Sequence, residues 1–457
     1  MKNKILLLLC TLITSVSSAQ LTQPEWSKNA VMYELNVRQY SQEGTFKAVT
    51  KDLARIKSLG VDVIWVMPIH PIGVKKRKGK MGSYYSVKDY MDVAPEYGTK
   101  NDFKELVQSA HALGMKVIID WVANHTSWDN EWLNEHRDWY VQDANGNVIT
   151  QYDWTDVAKL NYENMEMREA MINAMKYWVT DFDIDGFRCD VAFLVPQDFW
   201  ETLRGQLEGI KPLYMLAEME WNADITMHPD QYFTKAFNAS YGWNFMGVTA
   251  DYALGKKSLK EMKAELQKNY NSFPAYMHKL FFLTNHDENS WNGTVDEKYG
   301  KNWQQFGVMV YTLPQSTPLI YTGEEVGLKR RLSFFEKDPI TKLEWSNKSR
   351  EAWYKKMTTL KHDVPAFHNT GDLTDWMEIP LIAGDDEAIN CYAYKRQNGN
   401  STAYVFINFS EKEQMIKSKL IDINLSTKGF KMESNAIQLM TPNGLSIKPN
   451  SYIIYYK

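Results

Sequence analysis

The sequence predicts an α/β protein whose main body is a parallel barrel of eight strand–helix units. Three observations carry that prediction. Short apolar runs alternate with amphipathic helical stretches through most of the chain, the pattern of parallel βα units. Four of the runs, VIIDWVANH (117–125), GFRCDVA (186–192), LYMLAEME (213–220) and LFFLTNHD (280–287), end in acids, a His or an Arg. In a parallel barrel the C-terminal ends of the strands meet at one face, where such folds build their active sites. Near the C-terminus the pattern changes, and AINCYAYKRQ, STAYVFINFS and SYIIYYK alternate apolar and polar residues, as antiparallel strands do.

Each element has its own signal. AVMYELNV (30–37) is the first strand, and GTFKAVTKDLARIKSLG (44–60) a helix closed by a glycine. VDVIWVMPI (61–69) is a second strand, apolar throughout and so buried on both faces. NDFKELVQSAHALGM (101–115) is a helix opened by an Asn cap, before strand three at KVIIDWV (116–122). Residues 123–160 are polar, rich in Trp and Asp, and lack periodicity, so they are expected to form an excursion inserted into the barrel. REAMINAMKYWVTDFD (168–183) restores a helix, IDGFRCDVA is strand four, QDFWETLRGQLEGI (197–210) a helix and PLYMLAEME strand five. KAFNASY (235–241) carries the weakest signal, for strand six, and KLFFLTNHD and STPLIYTGEE (316–325) supply strands seven and eight. A helix near 347–362 ends the series.

These elements define a (β/α)8 TIM barrel over 20–122 and 161–364, interrupted by the 123–160 insertion, with a C-terminal antiparallel β-sandwich over 365–457. The chain of 457 residues is long enough for a barrel plus such an appendage. Residues 1–19 place two lysines before an apolar stretch that ends in Ser17-Ser18-Ala19. That pattern predicts a signal peptide cleaved after Ala19 and a periplasmic or secreted protein with no membrane segment in its mature form. Cys10 lies within the apolar core behind a leucine, which argues against lipid attachment there. Cys189 and Cys391 are expected to be free and buried, and no Cys/His cluster has zinc spacing.

A net charge of −4 carries no basic footprint for nucleic acid. The local run KKRKGK (75–80) reads as a solvated loop tip. Aromatic content of 13% is high, which large cores explain and which stacking on sugar faces in a cleft also explains.

Three carboxylates delivered to one face, Asp190, Glu218 and Asp287, suggest acid/base and nucleophilic chemistry. Cleavage of a glycosidic bond with retention needs two carboxyl groups about 5–5.5 Å apart, one attacking and one protonating the departing oxygen. Arg188 lies two residues before Asp190, so the strand period puts both on one face and the cation is expected to keep Asp190 ionised. Glu218 ends the apolar run LYMLAE, and apolar surroundings would suit a proton donor, with Glu220 the alternative acid. Asp287 would stabilise developing positive charge. His125 and His286 would donate hydrogen bonds to sugar hydroxyls.

At these residues the chain resembles the α-amylase family, glycoside hydrolase family 13. DWVANH, GFRCDVA, the Glu of LAEME and TNHD resemble its four short signatures; KLNYEN (159–164), GSYYSVKDYMDVAPEYGT (82–99) and YTGEEVG (321–327) resemble weaker ones. The resemblance runs from about residue 30 to the C-terminus. It implies a catalytic barrel, a small inserted domain B and a sandwich domain C. It implies Asp190 as nucleophile, Glu218 as acid/base and Asp287 as transition-state stabiliser. Tyr85, His125, Arg188 and His286 would shape the subsite for the attacked glucose, with Tyr85 stacked beneath it. The implied substrates are α-1,4-glucans or maltooligosaccharides, with no organic cofactor. The same trio also serves transglycosylases and α-1,6- or cyclodextrin-acting relatives, and some relatives bind glycans without catalysis.

Three departures bear on detail. Phe193 and Leu194 stand where many α-amylases carry Lys-His, which argues against their mode of long-polymer binding. The loop VRQYSQEGTF has one acid, so a calcium site after strand one is not expected. Asn124 and Asn161 match positions that hold a calcium between barrel and domain B, with Asp153 or Asp156 assisting. The short domain B implies an open cleft.

Overall fold

The barrel strands are β1 (Met32–Leu35), β2 (Val63–Val66), β3 (Lys116–Trp121), β6 (Gly186–Cys189), β7 (Tyr214–Ala217), β8 (Ala239–Tyr241), β9 (His278–Phe281) and β10 (Ser316–Tyr321); β4 (His125–Ser127) and β5 (Val157–Lys159) lie in the insertion. All eight barrel strands pair in parallel, and β10 returns to β1 to close the ring. The computed structural model describes residues 21–219, 235–272, 274–371, 375–383, 386–387, 390–418, 429–436, 439–441 and 444–457. The proposed signal peptide and Glu220 lie outside the described residues.

Continuous apolar runs give strands buried on both faces, as in VIWV of β2 and YMLA of β7. Barrel strand six, β8, has only three residues, which is why its sequence signal is faint. Between β1 and β2 the expected single helix is two, Phe46–Thr50 and Leu53–Ser58, separated at Lys51-Asp52. There the Asp52 carboxylate accepts from Tyr40 and Arg55. The helix Lys100–Ala112 is capped by Thr99 rather than by Asn101; Thr99 and Asp102 form a reciprocal capping box.

The insertion is more ordered than its composition suggests. β4 and β5 form an antiparallel pair, and Glu131–Glu135 is a short helix capped by Asn130. A 3-10 turn at Pro365–Phe367 then leads to two five-stranded antiparallel sheets. Cys391, Ala393, Phe406 and Ile453 pack between those sheets. Their neighbours Tyr392, Tyr394, Val405, Ile407, Tyr452 and Ile454 join the same core as the barrel helices. The first of the two sheets is therefore buried on both faces, and its alternation separates two cores rather than core from water. Cys189 and Cys391 are buried and unpaired. Among the described residues no helix is long and apolar enough to cross a membrane.

Candidate functional site

Strand β6 aims Arg188 into the barrel, where the side chain is fully buried. The β3–β6 register sets Asp120 directly beside it. Arg188 Nη1 donates to Asp120 Oδ1 at 2.8 Å and Asp190 Oδ1 at 3.1 Å. Nη2 lies 2.8 Å from Glu218 Oε2, and Nε donates to the Tyr241 hydroxyl at 2.9 Å. One planar fork thus fixes carboxylates from three strand ends, a task the point charge of a lysine would perform poorly. Trp65, Tyr85 and Tyr241 surround the guanidinium, with ring centroids 5.2, 5.6 and 5.4 Å away.

Asp190 and Glu218 therefore stand at one cation. Their surroundings differ from those expected on sequence grounds. Arg188 is shared among three carboxylates, so it does not hold Asp190 low; burial and the neighbouring Glu218 push Asp190 well above the usual carboxylate range, with Arg188 opposing. Glu218 sits in a polar setting, not an apolar one: its Oε2 meets Arg188 and accepts the Val191 N–H at 2.8 Å. Val191 is in the left-handed region, with φ of 36°, a strained conformation for a β-branched residue. That turn aims the Val191 amide at Glu218.

A second chain of contacts runs through His286. Its Nδ1 meets Glu34, its Nε2 is 2.7 Å from the Tyr85 hydroxyl, and Asp287 Oδ2 is 3.3 Å away. Tyr85 in turn donates to Asp120 Oδ2 at 3.1 Å, so this chain joins the first. Burial disfavours the imidazolium, but Asp287 and Glu34 overcome it and lift His286 to about 9. His286 is thus cationic at neutral pH and donates through both nitrogens. His125 behaves oppositely, because burial pushes it down to about 4. Its Nδ1 faces the Asn124 amide at 3.1 Å, which leaves the proton of the neutral ring on Nε2.

Asp190, Glu218, Asp287, Tyr85, His125 and His286 all line one cavity of about 470 Å³, with Arg188 packed beneath. Trp154 and Asp156 of the insertion, and Trp291, Phe334 and Phe335, also line it. A larger groove of about 630 Å³ beside Asp89, Asp92 and Lys100 lies away from this chemistry. Lys78 also lines the cavity, paired with Asp156 at 3.0 Å, while Lys75, Lys76 and Lys80 of the same run are exposed to solvent as expected.

Sequence reasoning passed over Glu34 and Asp120, the buried acids of this network. Asp120 lies inside the quoted DWVANH run, and a charged residue in an apolar strand was the available signal. Glu34 sits within the first strand, YEL, with the same signal.

The residues matched to calcium positions are engaged with protein groups. Asn161 Oδ1 accepts the Glu163 amide and its own amide donates to the Asp138 carbonyl, while the Asn124 amide turns to His125. Asp156 is spent on Lys78. Among the described residues no group of three or more His, Cys, Asp or Glu is arranged to hold a metal.

A family model for the alpha-amylase catalytic domain matches residues 28–441. The alpha-amylase MalA of Haloarcula japonica is 27% identical over 85% of this chain, which spans 56% of that relative. A maltogenic alpha-amylase of Bacillus acidopullulyticus is 26% identical over 96% of this chain and 79% of its own length. Among solved structures, the maltogenic alpha-amylase AmyB of Thermotoga neapolitana superposes with a TM-score of 0.80 at 30% identity, covering 94% of this chain and 99% of that one. A closed parallel barrel with acids gathered at its strand ends and a match along nearly its whole length place the chain in the alpha-amylase family of glycoside hydrolases, family 13.

Proposed function

We propose that the protein hydrolyses α-1,4-glucosidic bonds of maltooligosaccharides or starch-like glucans with retention, through a covalent glucosyl ester on Asp190. The observation that supports this best is the shared guanidinium, which holds Asp190 and Glu218 at one end of one cavity.

Asp190 attacks the anomeric carbon as Glu218 gives its proton to the departing glycosidic oxygen. Glu218 then takes a proton from water, which attacks the same carbon and frees Asp190. Attack needs Asp190 ionised, a state that Arg188 favours against burial and the neighbouring Glu218. Asp287 and the electron-rich face of Tyr85 stabilise the oxocarbenium-like charge. Neutral His125 donates to a sugar hydroxyl, and cationic His286 shapes the same subsite by holding Tyr85 and Asp287. Residues 1–19 are proposed as an export signal on their charge and hydropathy pattern alone.

Asp190→Asn is expected to remove turnover of maltoheptaose while binding persists, since the amide keeps the shape but cannot attack. A loss under about tenfold, ~1.4 kcal/mol of barrier, overturns the nucleophile assignment. Glu218→Gln is expected to lose acid/base turnover in the same assay, and turnover of pullulan alone would overturn the α-1,4 reading.

A further inference from the structure

Residues 73–82 are tied down along their whole length. At one end the Val74 amide donates to the Asp129 carboxylate, at 3.2 and 3.0 Å to its two oxygens. Lys76 Nζ sits 3.4 Å above the Trp128 ring, so this end is fastened to the insertion. At the other end the Met81 amide donates to the Phe335 carbonyl and the Lys80 amide to Glu336 Oε1, each at 3.0 Å. Arg77 folds the loop on itself by donating to the Gly73 and Ile72 carbonyls.

Between these anchors the loop passes the cavity. Lys78 Nζ pairs with Asp156 Oδ1 at 3.0 Å, and the Asp156 side chain is only 6% exposed. At the next residue, Gly79, a Cβ would lie 2.6 Å from Phe335 Cβ, so backbone touches aromatic side chain directly. Gly79 is in the left-handed region, with φ of 63°, which a glycine adopts without strain. Asp156 and Phe335 both line the cavity. Two consecutive residues thus tie Asp156 of the insertion to Phe335 beside the cavity that both line.

An internal segment of a glucan must leave an enzyme on both sides of the bond being cut. A bar across one flank instead requires the chain to end there. We propose that residues 73–82 form a crossbar that confines cleavage to the ends of short α-glucans, with Lys78 as its specificity-determining residue. This rests on the hydrolase reading and adds chain-end selection to it.

The test follows amylose and maltoheptaose digestion by the full-length enzyme, reading reducing ends against loss of iodine staining. Wild type is expected to release reducing ends well before staining falls. Lys78→Ala, and replacement of 75–80 by Gly and Ser, should raise staining loss per bond cleaved by about fivefold or more. Asp156→Asn breaks the same ion pair from the insertion and decides the matter should the loop variants fail to fold. Failure of the wild type to cleave either glucan overturns the hydrolase reading itself. Internal cutting of amylose by wild type from the first turnovers overturns the crossbar and leaves hydrolysis standing. An unchanged pattern in all variants overturns the role of Lys78.

Discussion

Arg188 and His286 are two buried cations set among five carboxylates, and the balance between them fixes the charge of the site. Arg188 meets Asp120, Asp190 and Glu218; His286 meets Glu34 and Asp287. His286 has a consequence for stability. Its folded-state value, about 9, lies above the ordinary histidine value of 6.5. A group raised on folding contributes fully below its unfolded pKa, and that contribution is lost as pH rises through the folded one. The wild type should therefore lose up to about 3 kcal/mol of this contribution between pH 6.5 and pH 9. His286→Asn should be less stable at pH 6 and show a flatter decline over that window. Urea unfolding at pH 6 and pH 9 checks this, and equal slopes for both proteins would remove the imidazolium from the account.

At the scale of elements, the placement of Arg188 depends on how closely β6 approaches β7. Gly186 pairs with Tyr214, and a Cβ on Gly186 would lie 1.8 Å from the Tyr214 carbonyl oxygen. The φ of 155° at Gly186 is also one that L side chains rarely adopt. Gly186→Ala is expected to cost about 3 kcal/mol or more, because backbone rather than a flexible side chain must yield. The same displacement moves Arg188, two residues along the strand, so activity should fall further than stability alone explains. Denaturant unfolding and turnover measured on folded protein separate the two losses. The strand positions were readable because their apolar runs are long relative to the strands, and the polar strand ends marked the site. Helix boundaries were less readable: Thr99 rather than Asn101 caps its helix, since either residue type can cap and the reciprocal Asp102 contact decides.

For the whole molecule, the relation between barrel and C-terminal sheets matters most. Tyr394 hydrogen-bonds Thr312 at 2.6 Å, Arg396 donates to the Thr312 carbonyl at 2.7 Å, and Trp353 donates to the Tyr452 hydroxyl at 3.1 Å. Phe306 packs on Phe409 with ring centroids 4.9 Å apart. The first of the two C-terminal sheets thus covers an apolar face of the barrel helices. A chain truncated after residue 364 is expected to be insoluble or to melt roughly 10 °C or more below the full chain, as followed by circular dichroism. An unchanged melting temperature would make the two parts independent. That double-sided burial was hidden in sequence, because Tyr392 and Tyr394 read as the outward half of an alternating strand. The Lys78–Asp156 contact was hidden for a related reason. It joins residues far apart in the chain, and a run of lysines reads as surface unless its partner is known.

The loop carrying Lys78 contributes no strand to the barrel, whereas the charged network stands on strands and their immediate ends. Chemistry and substrate reach are therefore encoded in separate stretches of the gene. On the proposed reading, insertions or deletions within 73–82 would retune which glucans are digested without disturbing the charged network at the strand ends.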